Sequence, residues 1–388
     1  MKLFYSNECT LHNPGFEILS GNAVPYLESP SRMSAIMSHL SQVKEQAGKW
    51  SWEDVDIDGP SDGNLLEAIK QAHQPEYVEY LQNAYEIWVR DGGSKDAVMP
   101  ETFPHPGLIA TSKSKAMYAK NLSPLAKAGL YCFDLSCPIT ADTFRSAFAA
   151  VRVVLSALQY LMSEASNQAH PGVFALTSVP RLLLVSAIWP NFRTSDRRPP
   201  GHHAGPAVCG GYCFFNNVAI AAKCLQSRVP NAKVAILDID YHHGNGTQDM
   251  FYQDPSVLYV SLHAEGDYPY FTGTTEEVGD GPGAGFNLNI PLPQHTTGNT
   301  EYIAALQQGL NRISQFGPQW LLVSLGVDTY KDDPLCHFKL TTECYHQIGQ
   351  EIGSLNLPTL FAMEGGYHID TLGANVGGVL LGFKRTDL

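Results

Sequence analysis

The chain has 388 residues, 44% of them hydrophobic and only 16% charged, so it has the material for a large buried core and little for extended disorder. Its net charge of −13 argues against the phosphate backbone of nucleic acid as a partner and favours cationic small molecules by long-range steering. Eight cysteines are scattered without paired CxxC sets, which removes zinc ribbons from consideration. The amino terminus, MKLFYSNECT, holds only a three-residue apolar run. The longest apolar run, near Arg181 to Trp189, falls well short of the ~18–20 residues of a membrane span. A cytoplasmic protein with reduced thiols and no membrane partner is expected.

In chain order, a first short strand is expected at Leu3, followed much later by a long stretch without periodicity, Gly92 to Asp142. Loops of that length are usually functional or interfacial. The strand VFALT comes next, then an unusual segment, Ser178 to Arg197, then RRPPGHHAG (Arg197 to Gly205) and GGYCFFNN (Gly210 to Asn217). A helix pattern over Phe214 to Gln226 leads to two apolar strands, KVAILDID (Lys233 to Asp240) and SVLYVSLH (Ser256 to His263). Thr300 to Gln315 reads as a helix, WLLVSLGVD (Trp320 to Asp328) as a strand, Thr341 to Ser354 as a helix and PTLFAMEGG (Pro358 to Gly366) as a strand. Near-continuous apolar strands separated by helices predict a doubly wound α/β sandwich around a mostly parallel sheet. No repeat or composition shift marks a boundary, so one domain over 1–388 is expected. Ligands in such folds bind beyond the carboxyl ends of the strands.

Unusual polar residues gather at those ends. Asp240 and His242, two apart after a buried strand, can point to the same side, and a carboxylate with an imidazole is a sound start for a divalent ion. An isolated Asp-x-His is more often a solvated strand end, but HHGNG directly after the strand allows a tight turn beneath the ligands. Asp328 ends another buried strand, where a third ligand would be needed; a helix N-cap is its commoner role in isolation. His202 and His203 sit behind Pro-Pro-Gly on a stiff turn and suit proton transfer near neutrality, although such a segment in isolation is more often a surface turn with exposed histidines. In MEGGY, two glycines bring Tyr367 into a cavity, where its hydroxyl would donate to a developing oxyanion; in isolation an aromatic packing residue is the commoner role.

In order, spacing and flanking residues these segments resemble the histone deacetylase superfamily with its arginase-like three-layer α/β/α sandwich. RPPGHHAG, GGYCFFNN, LDIDYHHGNGTQDMFY, the FTGTTEEVGDG loop and VSLGVDTYKDDP look most like the acetylpolyamine amidohydrolase branch. The resemblance implies Zn²⁺ (or Fe²⁺ in the cell) bound by Asp240, His242 and Asp328, with His203 as general base and acid and His202 as its electrostatic partner. Asp238 would orient His202, and Asn245 would orient His203. It also implies a tunnel walled by Tyr212 and Phe271, a Gly211 carbonyl that accepts the substrate amide N–H, and Arg32 near an exit path for acetate. Structural K⁺ would be held by Asp238, Asp240, His242, Ser261 and Leu262, and a second ion by Phe251, Asp254 and Val257.

The implied substrate is a small cationic acylated amine, and the implied assembly a homodimer built through Gly92 to Asp142. Two features depart from the pattern. LAKAGLYC (Leu125 to Cys132) has alanine and lysine where the branch has a glutamate, and Ser178 to Arg197 is an insertion. A protein-lysine deacylase is the enzymatic alternative, and a catalytically dead binder of acylated amines the non-enzymatic one. An arginase-type ureohydrolase needs two manganese ions and more carboxylates than this single Asp-His-Asp set supplies.

Overall fold

The computed structural model describes residues 1–28, 31–47, 50–59, 64–105, 122–165, 171–177 and 200–384. The Ser178 to Arg197 insertion, and residues 106–121 of the long loop, lie outside the described residues. The strands are β1 (Lys2–Tyr5), β2 (Glu17–Leu19), β3 (Asn22–Val24), β4 (Ser51–Asp54), β5 (Gly172–Ala175), β6 (Val234–Asp238), β7 (Val257–Ala264), β8 (Asn287–Leu292), β9 (Trp320–Leu325) and β10 (Thr359–Met363). Eight of them form one sheet in the order β4-β1-β5-β10-β9-β6-β7-β8, with every neighbouring pair parallel. β2 and β3 make a separate antiparallel hairpin.

Every residue of β6, β7, β9 and β10 is buried, because helices cover both faces. The alternation of side chains divides the core accordingly. Ala235 and Leu237 of β6 pack into a cluster with Leu306, Leu310, Val376 and Leu380, while Val234 and Ile236 pack with Val153, Ala157, Val218 and Leu225 on the other face. This is the three-layer sandwich the sequence pattern predicts.

The helix Thr143–Glu164 is long and apolar enough to cross a membrane, a length of apolar sequence the strand-centred reading passed over. It packs against β1, β5 and β10 and buries Val151, Val154 and Leu158, so its apolarity serves the core. A second difference falls in the long loop. Pro124–Leu130 is a helix, started by Pro124 and by the Ser123 hydroxyl accepting the Ala126 N–H at 3.3 Å. Seven residues are too few to show a periodicity.

The chain runs from β5 to β6 across a gap that β9 and β10 later fill. The carboxyl ends of β6, β9 and β10 are therefore adjacent, although far apart in sequence. Backbone bonds continue beyond the strands: Ile239 N–H to Ser324 O (3.1 Å), Glu364 N–H to Leu325 O (2.8 Å) and Val327 N–H to Gly365 O (3.0 Å). These bonds lace three strand ends into a rigid floor.

Candidate active site

On that floor, Asp240 Oδ2 accepts the Gly365 N–H at 2.7 Å and Asp328 Oδ1 accepts the Tyr241 N–H at 2.9 Å. Each carboxylate spends one oxygen on a neighbouring strand end and turns the other toward His242. Nδ1 of His242 stands 3.2 Å from both Asp240 Oδ1 and Asp328 Oδ2. Asp328 Oδ2 is buried and makes no hydrogen bond, a condition that a bound cation relieves. A Cβ at Gly365 would collide with Asp328 Oδ2, so glycine there lets the backbone close under the carboxylates. Cys336, not singled out from the sequence, offers its sulfur to the same place, within 4.8 Å of the ligand atoms of His242 and Asp328. The donor set fits a divalent ion: two carboxylates and an imidazole are the residue types such ions take.

Electrostatics agree with that fit. Burial pulls the His242 imidazole down, but the facing carboxylates of Asp240 and Asp328 outweigh it and hold it at about 10. Burial and the facing Asp240 push Asp328 up to about 7. The pocket thus favours positive charge between two carboxylates.

His202 and His203 pack with ring centroids 4.0 Å apart, in opposite environments. His202 Nδ1 lies 3.1 Å from Asp238 Oδ2, which also accepts the Tyr259 hydroxyl at 2.9 Å. Burial works against its charge, but Asp240 and Asp238 hold it up at about 10. His203 Nδ1 faces Asn245 Oδ1 at 2.8 Å, and burial together with the cationic His202 and His242 drives it well below its usual range. Two imidazoles pushed apart in this way separate a fixed cation from a free base.

Glu364 is the residue that sets this pair in place, and the sequence reading missed its role. Its Oε2 accepts the Gly201 N–H at 2.6 Å and the His202 N–H at 3.3 Å, and Oε1 accepts the Ser324 hydroxyl at 3.2 Å. A carboxylate inside the apolar run LFAMEGG was the available signal, since a buried charge needs donors.

Tyr367 is buried, and its phenol is pushed well above its usual range by burial and by Glu28, so it stays protonated. Its backbone N–H donates to Asp333 Oδ2 at 2.7 Å. Arg32 lies behind it, fully buried, with its guanidinium 4.9 Å from the Tyr367 ring. The guanidinium pairs with Glu28 and donates to the carbonyls of Glu364 (2.6 Å) and Gly366.

His202, His203, His242, Gly211, Tyr212 and Tyr367 line one cavity of about 310 Å³, with the more exposed Leu19, Ser20, Tyr270 and His337 around it. Phe271, expected as a tunnel wall, is 90% exposed and does not line it. Tyr268 stands there instead, edge-on to His203 at 5.0 Å and to His242 at 5.9 Å. Which ring of DYPYF turns inward depends on the turn, and the string of aromatic residues hides it. Tyr212 packs against Tyr26 and Tyr367, and the Gly211 carbonyl accepts only the weak Cys213 thiol at 3.2 Å, leaving it a free lone pair. Lys127 lines a different cavity, with Glu76, Glu79 and Tyr131.

The residues expected around potassium divide in two. Asp238 and Ser261 are register partners on β6 and β7, and the Ser261 hydroxyl pairs with His263 Nδ1 at 2.9 Å. Phe251, Asp254 and Val257 share one turn, where Asp254 N–H bonds Phe251 O (3.0 Å) and Val257 N–H bonds Asp254 O (3.3 Å). The Asp254 carboxylate is engaged by Lys223 at 3.2 Å and Gln226 at 2.8 Å.

An all-parallel α/β/α sandwich with an Asp-His-Asp corner beside tandem histidines defines the deacetylase class of amide hydrolases. The chain belongs to the histone deacetylase family: residues 26–382 match its histone deacetylase domain. It is 37% identical to acetylpolyamine amidohydrolase 2 of Pseudomonas aeruginosa over 99% of both chains. The crystal structure of acetylpolyamine aminohydrolase from Burkholderia pseudomallei superposes with a TM-score of 0.81 at 30% identity, again covering 99% of both chains. Histone deacetylase HDA1 of Saccharomyces cerevisiae is 40% identical, but over 49% of this chain and 29% of that protein. The family is generally metal-dependent, in keeping with the donor set described above.

Proposed function

We propose that this protein is a zinc-dependent amidohydrolase that removes acetyl groups from acetylated polyamines or related small aminoalkyl amides. The observation that carries the reading is one cavity in which His242, held between the buried Asp240 and Asp328, meets two histidines of opposite charge preference. The choice of substrate is supported by the end-to-end likeness to proteins named for acetylpolyamines. Asp267, a partly exposed carboxylate in the cavity lining, is placed to attract a distal ammonium.

Asp240, His242 and Asp328 would hold the ion, which when bound polarises the acyl carbonyl and acidifies water. His203 is neutral and has Nε2 free, because Nδ1 faces Asn245; it takes the proton of the attacking water and later gives it to the departing amine. His202, held cationic, supplies a fixed positive field. The Tyr367 phenol donates to the oxyanion, a contribution typically worth ~10²–10³ in rate. The Gly211 carbonyl accepts the amide N–H, and Tyr212 and Tyr268 flank the alkyl chain. We also propose structural potassium at the two residue sets described above, and a C2 homodimer built through Gly92 to Asp142.

Metal analysis of the purified protein should find about one divalent ion per chain, as three protein ligands imply. Asp328→Ala should lose both the ion and turnover of acetylated amines. Normal hydrolysis by that variant would overturn the assignment.

A further inference from the structure

Asp134 lies in the long loop, beyond the helix Pro124–Leu130, where backbone hydrogen bonds from Phe133 N–H to Cys209 O (3.0 Å) and from Cys209 N–H to Tyr131 O (2.9 Å) set the loop beside the Gly210–Cys213 turn. Its Oδ2 accepts three bonds: from the Gly211 N–H at 2.9 Å, the Tyr268 hydroxyl at 2.6 Å and the Ser136 hydroxyl at 2.6 Å. The Ser136 N–H donates to Oδ1 at 3.1 Å. The Ser136 bonds are a local turn and would form without the rest. The other two donors lie 77 and 134 positions away in sequence and line the same cavity, and a turn does not account for them.

What those donors do is visible in the packing. Gly211 has φ +54°, and a Cβ on it would strike the His203 ring and lie 3.0 Å from the Tyr268 hydroxyl. The Gly211 peptide, the Tyr268 phenol and the His203 imidazole are therefore wedged together with no slack. A hydrogen bond to an ionised carboxylate is among the stronger ones available to a phenol.

We propose that Asp134 is a positioning residue for hydrolysis: its carboxylate ties the Gly211 peptide to the Tyr268 ring and so holds His203 in line beneath the substrate. This rests on the amidohydrolase reading above. The long loop thereby acts on the reaction through one side chain that sets the cavity wall, in addition to any part it has in assembly.

Asp134→Asn, Tyr268→Phe and the double variant test the link, each assayed for kcat, KM, metal content and melting temperature. Tyr268→Phe removes a single oxygen, so the test survives if Asp134→Asn fails to fold. Each single variant should lower kcat about ten- to a hundredfold, the cost of a small misplacement of a reacting group. KM should stay within about threefold, since the substrate's own contacts remain. The double variant should fall no further than the worse single, because both changes cut the same link. An unchanged kcat, losses that multiply in the double variant, or losses that track metal content or melting temperature would each overturn the proposal. The variant-to-wild-type ratio should be the same on N-acetylputrescine and on an acetyl-lysine peptide. A failure of the polyamine reading would show instead in the wild-type preference between those two substrates.

Discussion

At the scale of single residues, the difference between His202 and His203 comes down to what each Nδ1 faces. Asp238 gives His202 a carboxylate, whereas Asn245 gives His203 a neutral oxygen. A general base must be unprotonated to act, so the acid limb of the pH–rate profile marks its pKa in the free enzyme. Asn245→Asp should raise the His203 pKa by adding an anion beside it, and the acid limb of kcat/KM should move to higher pH. An unmoved limb would mean that another group sets it. Asp240, His242 and Asp328 were legible in the sequence because each stands just past a buried strand, and His202 and His203 because they follow Pro-Pro-Gly. Asp134, Tyr268 and Glu364 were not. Their long-range partners are 40 to 163 positions away, and no local pattern encodes a bond across the fold.

At the scale of elements, the hairpin of β2 and β3 carries a cost that the sequence does not advertise. Glu17 is fully buried; its Oε1 accepts the Leu27 N–H at 2.9 Å, and its Oε2 finds no hydrogen bond. Burial pushes the carboxyl up from an ordinary 4.5 to about 7 against the pull of that N–H and of the Tyr212 hydroxyl. The folded state then binds more protons than the unfolded state between those values, so stability falls as pH rises through that window. The loss is on the order of 2–3 kcal/mol once pH exceeds about 7. Glu17→Gln should leave the melting temperature at pH 4 nearly unchanged and raise it by a few degrees at pH 8. A variant less stable than wild type at pH 8 would show that the ionised carboxylate has a partner of its own. The strands β6, β7, β9 and β10 were readable because near-continuous apolar runs have few alternatives, and the helices Asn217–Arg228, Asn299–Phe316 and Thr342–Gly353 lie where helix patterns were expected. The four-residue strand β4 and the seven-residue helix Pro124–Leu130 offer too few residues for a period to register, and β8 interrupts its apolar residues with Asn287, Asn289 and Pro291.

At the scale of the whole molecule, the acidic balance and the shared cavity act together. A net charge of −13 raises the local concentration of a cationic amine, with an effect that salt screens over about 8 Å in physiological conditions. Lys127 replaces a glutamate of the branch pattern, but it faces Glu76 and Glu79 in a separate cavity, so its charge does not oppose a distal ammonium in the catalytic one. Closed C2 pairs are the commonest assemblies, and a homodimer through the long loop should appear in light scattering at micromolar concentration. Monomer alone under those conditions would count against it.

Hydrolysis of small acetylated amines is read out by kcat/KM on N-acetylputrescine against kcat/KM on a long acetyl-lysine peptide. The diamine should be favoured, and the preference should narrow as salt is raised. A peptide favoured tenfold, about 1.4 kcal/mol of transition-state binding, would contradict it and make the protein a lysine deacylase.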